Sequence, residues 1–244
     1  MWFGFNSLSS IGVNMRCVAI IPARGGSKRI PRKNIRAFNG RPMICWPIQV
    51  ALQSGLFESV IVSTDDEQIA DVAIKAGADV PFLRNAALSD DNTGVVPVLR
   101  DVLRRHWSDS SRPDLACLIY ATAPFLTSGD LKRGLRSLEE TSASFAISIC
   151  QFRAPIDRAL IIERDLVQMR CPDNFGMRSQ DFPESYHDAG QFCWGRSDNW
   201  LDGPGVFDAS TAPILLPRSR VQDIDNLEDW EYAELMARVI DRMH

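Results

Sequence analysis

No uncharged apolar run in this sequence approaches the roughly 18 residues that a helix needs to cross a bilayer, so a helical membrane span is excluded. An excess of positive charge is missing too. Lys and Arg total 27 against 31 Asp and Glu, a formal net charge of −4, whereas general nucleic-acid and anionic-membrane binders need a basic surface. The six cysteines (Cys17, Cys45, Cys117, Cys150, Cys171, Cys193) contain no C-x-x-C pair, and three of them fall inside apolar runs. That usage predicts reduced, mostly buried thiols in a cytoplasmic protein. Residues 1–14 carry no charged side chain but lack the basic start and long apolar stretch of a signal peptide, and they are expected to form a disordered extension before Met15. Neither an internal repeat nor a low-complexity tract is present. What remains is ordinary globular material, 244 residues at 45% hydrophobic and 24% charged, enough for one domain with a substantial core.

From Arg16 onward, short apolar runs rich in β-formers alternate with helical stretches, the pattern of an α/β fold with a mostly parallel sheet flanked by helices. Strands are predicted at Cys17 to Ile21, Val60 to Ser63, Leu115 to Tyr120 and Phe145 to Cys150, with helices near Ile44 to Ser54, Asp66 to Ala76, Val95 to Trp107 and Ser128 to Glu140. Pro42 is read as the opening of the first helix, which Pro47 then either restarts or kinks, since an interior proline costs about 3 kcal/mol. Thr64 and Glu67 have capping-box spacing before the second helix, and Asp225 and Glu228 before the last. The strict alternation stops after Cys150. Gln151 to Tyr186 holds three prolines and a hairpin-like pair, ALIIE then LVQM, and reads as an insertion. A strand then returns at Ala189 to Gly195. PILLP (Pro213 to Pro217) suits an edge strand, and an amphipathic helix from Leu227 buries Trp230, Ala233, Ala237 and Ile240.

The most informative stretch is IIPARGGSKRIPRKNIR, Ile20 to Arg36, directly after the first strand. Arg24, Lys28, Arg29, Arg32, Lys33 and Arg36 fall within thirteen residues with no acid among them, a local positive site in an acidic chain. Gly25 and Gly26 would let the backbone approach a ligand and point N–H groups at it, at the carboxyl edge of the sheet where α/β proteins bind ligands. The loop matches neither G-x-x-x-x-G-K-[ST] nor G-x-G-x-x-G. It reads as a polyphosphate cradle of another kind, and spacing alone names no enzyme.

PARGGSKRIPRKN resembles the signature of the CMP-sugar synthetases that activate sialic acids and their bacterial relatives. Ser63 to Arg84, LSDDNTG (Leu88 to Gly94), RSQD (Arg178 to Asp181) and QDID (Gln222 to Asp225) follow in that family's order. The resemblance implies a single Rossmann-like nucleotidyltransferase domain over residues 15–244 with a dimerisation insertion near 151–186, a homodimer, and transfer of CMP from CTP to a nine-carbon acidic sugar with Mg²⁺. It further implies that Arg24, Gly25, Gly26, Ser27, Lys28, Lys33 and Asn34 hold the nucleotide and its phosphates. Arg84, Ser89 and Asp90 would serve the cytosine end, Asp223 and Asp225 would bind the metal, and Lys28, Arg24 and Asp223 would be central to catalysis. Two carboxylates one residue apart can converge on one Mg²⁺ that also keeps phosphate and water ligands. Capping by Asp225 is the alternative, and the two roles are compatible.

The ordinary sialic-acid members carry a glutamine-led Q-P-T-S-P segment where this chain reads YATAPF, Tyr120 to Phe125. Together with YHDAGQFCWG (Tyr186 to Gly195), that segment resembles the pseudaminic acid branch, whose sugar has a methyl end and two acylamino groups and suits a more aromatic pocket. The expected sugar contacts are Tyr120, Thr122, Arg178, Gln180, His187, Asp188, Gln191 and Phe192, with Arg178 gripping the sugar carboxylate and Arg153 or Arg158 as alternatives. For Tyr120 and Phe192 a place in the core is the competing reading. No clear covalent nucleophile is present, which fits direct attack of a sugar hydroxyl on the α-phosphate of CTP. The rival readings are a synthetase for N-acetylneuraminic or legionaminic acid, a glycosyltransferase, and a non-catalytic nucleotide-binding protein.

Overall fold

In a computed structural model the chain is described over residues 15–208 and 210–241, so the expected extension at 1–14 lies outside the described residues. In chain order the elements are β1 (Cys17–Pro22), β2 (Ala37–Phe38), β3 (Arg41–Pro42), α1 (Cys45–Ser54), β4 (Ser59–Ser63), α2 (Glu67–Lys75), α3 (Val95–His106) and β5 (Leu115–Ile119). There follow α4 (Ser128–Glu140), β6 (Phe145–Gln151), β7 (Leu160–Glu163), β8 (Leu166–Met169), β9 (Tyr186–Arg196), α5 (Ser197–Asp202), β10 (Thr211–Leu215) and α6 (Leu227–Asp241). Six strands form one sheet in the order β10-β6-β9-β5-β1-β4. β1 lies parallel to both β4 and β5, and β10 parallel to β6, while β9 runs antiparallel to β5 and β6.

Strands buried on both faces split their side chains by the period of two. Cys17, Ala19 and Ile21 of β1 join Leu115, Cys117 and Ile119 of β5 on the face covered by α1, α2 and α4, while Val18, Ile20, Ala116 and Leu118 meet Leu99, Val102, Leu103 and Trp200 on the other. A third apolar cluster lies at the ligand edge and joins segments far apart in sequence. It packs Ile30, Phe38 and Met43 with Phe125, Ile224 and Trp230.

Three local expectations change. Pro42 belongs to the small β2–β3 hairpin and does not open a helix. Pro47 is the third residue of α1, in the first turn, where a missing N–H breaks no intrahelical bond and the helix continues through it. The cap of α2 is Asp66, whose carboxylate accepts from the Ile69 N–H at 3.0 Å, and Thr64 instead accepts from the Asp66 N–H at 3.2 Å. At α6 the reciprocal pair is Asn226 and Asp229, each side chain accepting from the other's backbone N–H at 3.0 Å, which leaves the Asp225 carboxylate free of capping.

The insertion forms a separate β7–β8 hairpin bracketed by short 3₁₀ turns, with Leu160, Ile162, Leu166 and Val167 exposed. All six cysteines are free thiols, and no described helix is long and apolar enough to cross a membrane.

Gly134 shows how tightly α4 sits on the sheet. A Cβ there would lie 2.5 Å from Trp194 Cδ1 and 2.8 Å from Phe192 Cε2. Gly134→Ala should therefore destabilise by about 1 kcal/mol net, because overpacking costs roughly 1–3 kcal/mol against about 1 kcal/mol gained in helix propensity. Chemical denaturation of the two proteins checks this, and equal or greater stability in the variant would refute the packing argument.

Candidate active site

The chain leaves β1 toward β4 on one side and returns to β5 on the other, so the carboxyl end of β1 is a topological switch point, where loops diverge and leave a crevice. A cavity of about 420 Å³ opens there. Its walls come from the cation loop (Arg24, Ser27, Lys28, Arg29, Lys33, Asn34), from Arg84, from the start of α3 (Thr93, Gly94, Val95), from the end of β5 (Tyr120, Thr122) and from Asp225. Six apolar or uncharged strand residues thus deliver a strongly cationic loop to the place where a ligand fits.

Each cation has a defined partner. Arg24 donates to Asp91 at 2.7 Å and to the Asp90 carbonyl at 2.9 Å, and Lys28 also pairs with Asp91. Arg29 donates to Asp225 at 2.7 Å, while Lys33 donates to the Ile224 carbonyl at 2.6 Å and lies 4.0 Å from Asp225. Burial pushes the Lys33 ammonium below its ordinary pKa, with the Asp225 charge opposing the shift. Arg32, at φ 57°, turns away from the cavity to pair with Asp66. Asn34 is buried and donates to the Arg24 carbonyl at 2.9 Å, so it braces the loop as well as lining the cavity. Arg84 is almost fully buried and donates to the Ser63 hydroxyl at 3.2 Å and to the Ser63 carbonyl, with desolvation lowering its pKa.

The two glycines act differently from expectation. Gly25 N–H already donates to Asp65 Oδ1 at 2.9 Å, and a Cβ on Gly25 would meet the Asp66 side chain at 2.8 Å. Gly25 therefore serves close packing of the loop against the start of α2, and neither it nor Gly26 lines the cavity. Ser89 and Asp90 stand just behind the wall. The Ser89 hydroxyl donates to the Asn85 carbonyl at 3.1 Å, and the Asp90 carboxylate accepts from the Asn92 and Thr93 N–H groups at 3.0 and 2.6 Å.

On the sugar side, Tyr120 and Thr122 reach the cavity, and burial raises the Tyr120 phenol's pKa. The others do not reach it. Phe192 is fully buried in the core and Gln191 is 2% exposed, its Nε2 donating to the Arg220 carbonyl at 2.6 Å while its Oε1 has no partner. The period of two along β9 turns Phe192 under α4, which is the reason it fails as a surface contact. Asp188 accepts from the Gly190 N–H at 2.8 Å, and desolvation followed by the charge of Asp223 raises its pKa. His187 Nδ1 sits 2.8 Å from the Asp188 carbonyl with its ring against Phe152, and both residues face a second, smaller cavity. Arg178 and Gln180 lie exposed on the insertion, where Arg178 forks onto Asp181 at 3.0 and 3.1 Å. Arg153 donates to the Tyr232 hydroxyl at 3.3 Å and Arg158 to the Met177 carbonyl at 2.9 Å, so neither enters the cavity.

Asp223 is outside the cavity wall. Partial desolvation and then the Asp225 charge raise its pKa, a like-charge strain that a bound cation would relieve. No cluster of three or more His, Cys, Asp or Glu with metal-binding geometry occurs among the described residues. Two carboxylates beside a cation-lined cavity nevertheless match what Mg²⁺ takes from a protein, since it fills its other positions with phosphate and water oxygens. The acidic segment is held from behind by Arg220, which forks onto the buried Asp130 carboxylate at 2.6 and 3.1 Å and donates to the Phe125 carbonyl at 3.2 Å. In the sequence Arg29 was counted in the positive loop and Asp91 in the LSDDNTG segment with no role given to either, and the start of α3 was not placed at the site. The absence of any acid in the cation loop was the one signal that counter-charges must arrive from elsewhere.

Comparison with known proteins agrees with this geometry. Residues 18–159 match the family model described as cytidylyltransferase. The pseudaminic acid cytidylyltransferase of Campylobacter jejuni subsp. jejuni serotype O:2 is 41% identical over 226 residues, covering 92% of this chain and 97% of the relative. The CMP-N,N'-diacetyllegionaminic acid synthase of Legionella pneumophila is 32% identical over 222 residues, covering 90% and 95%. A solved CMP:2-keto-3-deoxy-manno-octonic acid synthetase complexed with CTP superposes with a TM-score of 0.68 at 19% identity, covering 91% of this chain and 99% of that one, a likeness of fold. With its cation loop at the switch point, a matching model over more than half its length and close relatives along nearly all of it, this chain belongs to the cytidylyltransferase family.

Proposed function

We propose that this chain transfers CMP from CTP to pseudaminic acid, giving CMP-pseudaminic acid and pyrophosphate, as a Mg²⁺-dependent cytoplasmic homodimer. The observation that carries the reading is the convergence of Arg24, Lys28, Lys33 and Asp225 on one cavity at the switch point, with Tyr120 and Thr122 on its far wall. The choice of sugar follows the 41% identical relative over the 32% identical one, together with an aromatic ring where a methyl-ended sugar would lie.

In this mechanism the anomeric hydroxyl oxygen bonds to the α-phosphorus as the bond from that phosphorus to the oxygen bridging the β-phosphate breaks, the pyrophosphate keeps the bridging oxygen, and the hydroxyl proton passes to solvent water. Arg24 and Lys28 hold the β- and γ-phosphates and neutralise the charge that grows on the leaving pyrophosphate, the largest service a site gives in such transfers. The Ser27 hydroxyl and Lys33 extend the same cradle, and the buried fork of Arg84, held by its hydrogen bonds to Ser63, orients the base. Mg²⁺ held by Asp223 and Asp225 would supply further charge stabilisation on the phosphates. Tyr120 and Thr122 present an apolar ring and a hydroxyl to the sugar.

Arg178 and Gln180 do not line the cation-rich cavity of their own chain, and the hairpin beside them exposes Leu160, Ile162, Leu166 and Val167. Both features suit an insertion that docks on a second copy, where Arg178 could meet the sugar carboxylate. Sedimentation should give twice the monomer mass, and a stable, fully active monomer would refute this placement.

Pyrophosphate release from CTP is expected with pseudaminic acid and to disappear when Mg²⁺ is chelated. Release with legionaminic or N-acetylneuraminic acid alone would overturn the sugar assignment, and undiminished release in a chelator would overturn the metal. Lys28→Ala should lower kcat by at least about 100-fold at saturating CTP, the scale for loss of one charge-stabilising donor. Near-normal turnover of that variant would remove Lys28 from the mechanism.

A further inference from the structure

The wall of the cavity formed by the segment before α3 carries an acid that the transfer chemistry leaves unused. Asp91 Oδ1 accepts from Arg24 Nη1 at 2.7 Å, and Asp91 Oδ2 pairs with Lys28 Nζ. One carboxylate thus bridges the two cations that the preceding reading gives to the β- and γ-phosphates, and it does so inside the same cavity. The hydrogen bonds from Lys28 and then Arg24 hold its pKa below the ordinary carboxylate value, so it is ionised wherever the enzyme would work.

The neighbouring residues fix which acid faces the cations. Asp90 is turned back into its own loop, accepting from the Asn92 and Thr93 N–H groups, while its carbonyl accepts from Arg24. Asp91 is left projecting over the cradle. Its ion pairs are open to water, the side chains of Arg24, Asp91 and Lys28 being 36%, 43% and 78% exposed. Exposed pairs are individually weak, so a polyphosphate with several charges displaces the carboxylate readily.

We propose that Asp91 is a carboxylate latch that occupies Arg24 and Lys28 in place of phosphate when the cavity is empty, yields to the incoming triphosphate and competes for the same two cations as pyrophosphate departs. The inference rests on the reading of Arg24 and Lys28 as phosphate ligands. A latched state that must open before binding lowers the apparent affinity by the fraction of molecules that are open. The latch therefore costs some affinity for phosphates and hastens loss of the product, and it keeps Arg24 and Lys28 neutralised in between.

Calorimetric titration of pyrophosphate into the full-length enzyme tests this with Asp91→Asn, which keeps the shape and removes the charge. The variant should bind pyrophosphate roughly three- to tenfold more tightly than the unmodified enzyme, the gain expected from releasing weak exposed pairs, with a matching fall in the product-inhibition constant. A merely structural role predicts the opposite sign, since damage to the loop would weaken binding. Glu140→Gln removes the same charge from the exposed end of α4, at the opposite edge of the sheet, and should leave affinity unchanged. Equal or weaker binding by Asp91→Asn, or an equal gain from Glu140→Gln, would overturn the latch. Lys28→Ala separates the two levels of the argument. If it loses pyrophosphate while Asp91→Asn gains nothing, the cradle stands and the latch falls, whereas undiminished binding by Lys28→Ala overturns both.

Discussion

Six positive charges crowded into one short loop repel one another, and the way that repulsion is relieved shapes the whole ligand edge. Every one has a partner from a different part of the chain. Asp91 takes Arg24 and Lys28, Asp225 takes Arg29 and lies near Lys33, Asp66 takes Arg32, and Arg36 lies over the Trp230 ring at 5.0 Å. The acidic partners fall into two kinds. Asp66 is a helix cap locked by the Ile69 N–H and is a permanent part of the scaffold, whereas Asp91 and Asp225 stand in the cavity wall where a charged ligand would compete for the same cations.

Magnitudes decide what holds this arrangement in place. Exposed ion pairs contribute about 0–1 kcal/mol each, whereas a fully buried Ile or Phe side chain contributes roughly 1.5–3 kcal/mol. Ile30 of the cation loop and Ile224 between the two aspartates are both fully buried in one cluster with Phe38, Phe125 and Trp230. That apolar cluster, with the buried Asp130 and Arg220 pair behind it, brings Asp225 to Arg29. The ion pairs then tune a geometry already set by packing, and they remain free to exchange with a ligand.

The cation loop and Arg84 meet in one cavity of a single chain, whereas Arg178 and Gln180 lie outside it. Arg24, Lys28, Lys33, Asn34 and Arg84 line that cavity together with Tyr120 and Thr122, while Arg178 pairs with Asp181 on the protruding segment. A nucleotide is common to the whole family, whereas the sugar differs among relatives. The β7–β8 hairpin pairs only with itself, so its sequence can change without disturbing the six-stranded sheet.

The sequence by itself determined the alternation of strands and helices, the hairpin that follows Cys150, the edge position of the last strand and the cation loop after β1, because each rests on local periodicity, proline placement or charge density. It also carried Arg24, Lys28, Lys33 and Asn34 to the cavity, since a loop that follows a parallel strand has only one edge of the sheet to occupy. Tertiary structure alone decided the rest. Gly25 packs on Asp66 and spends its N–H on Asp65, and Asn226 with Asp229 caps α6 in place of Asp225. Phe192 turns into the core, and Asp91 arrives on the cations from a separate loop. These outcomes depend on which of several equally plausible partners comes within hydrogen-bonding reach, and that is a property of folded distance that spacing along the chain does not encode.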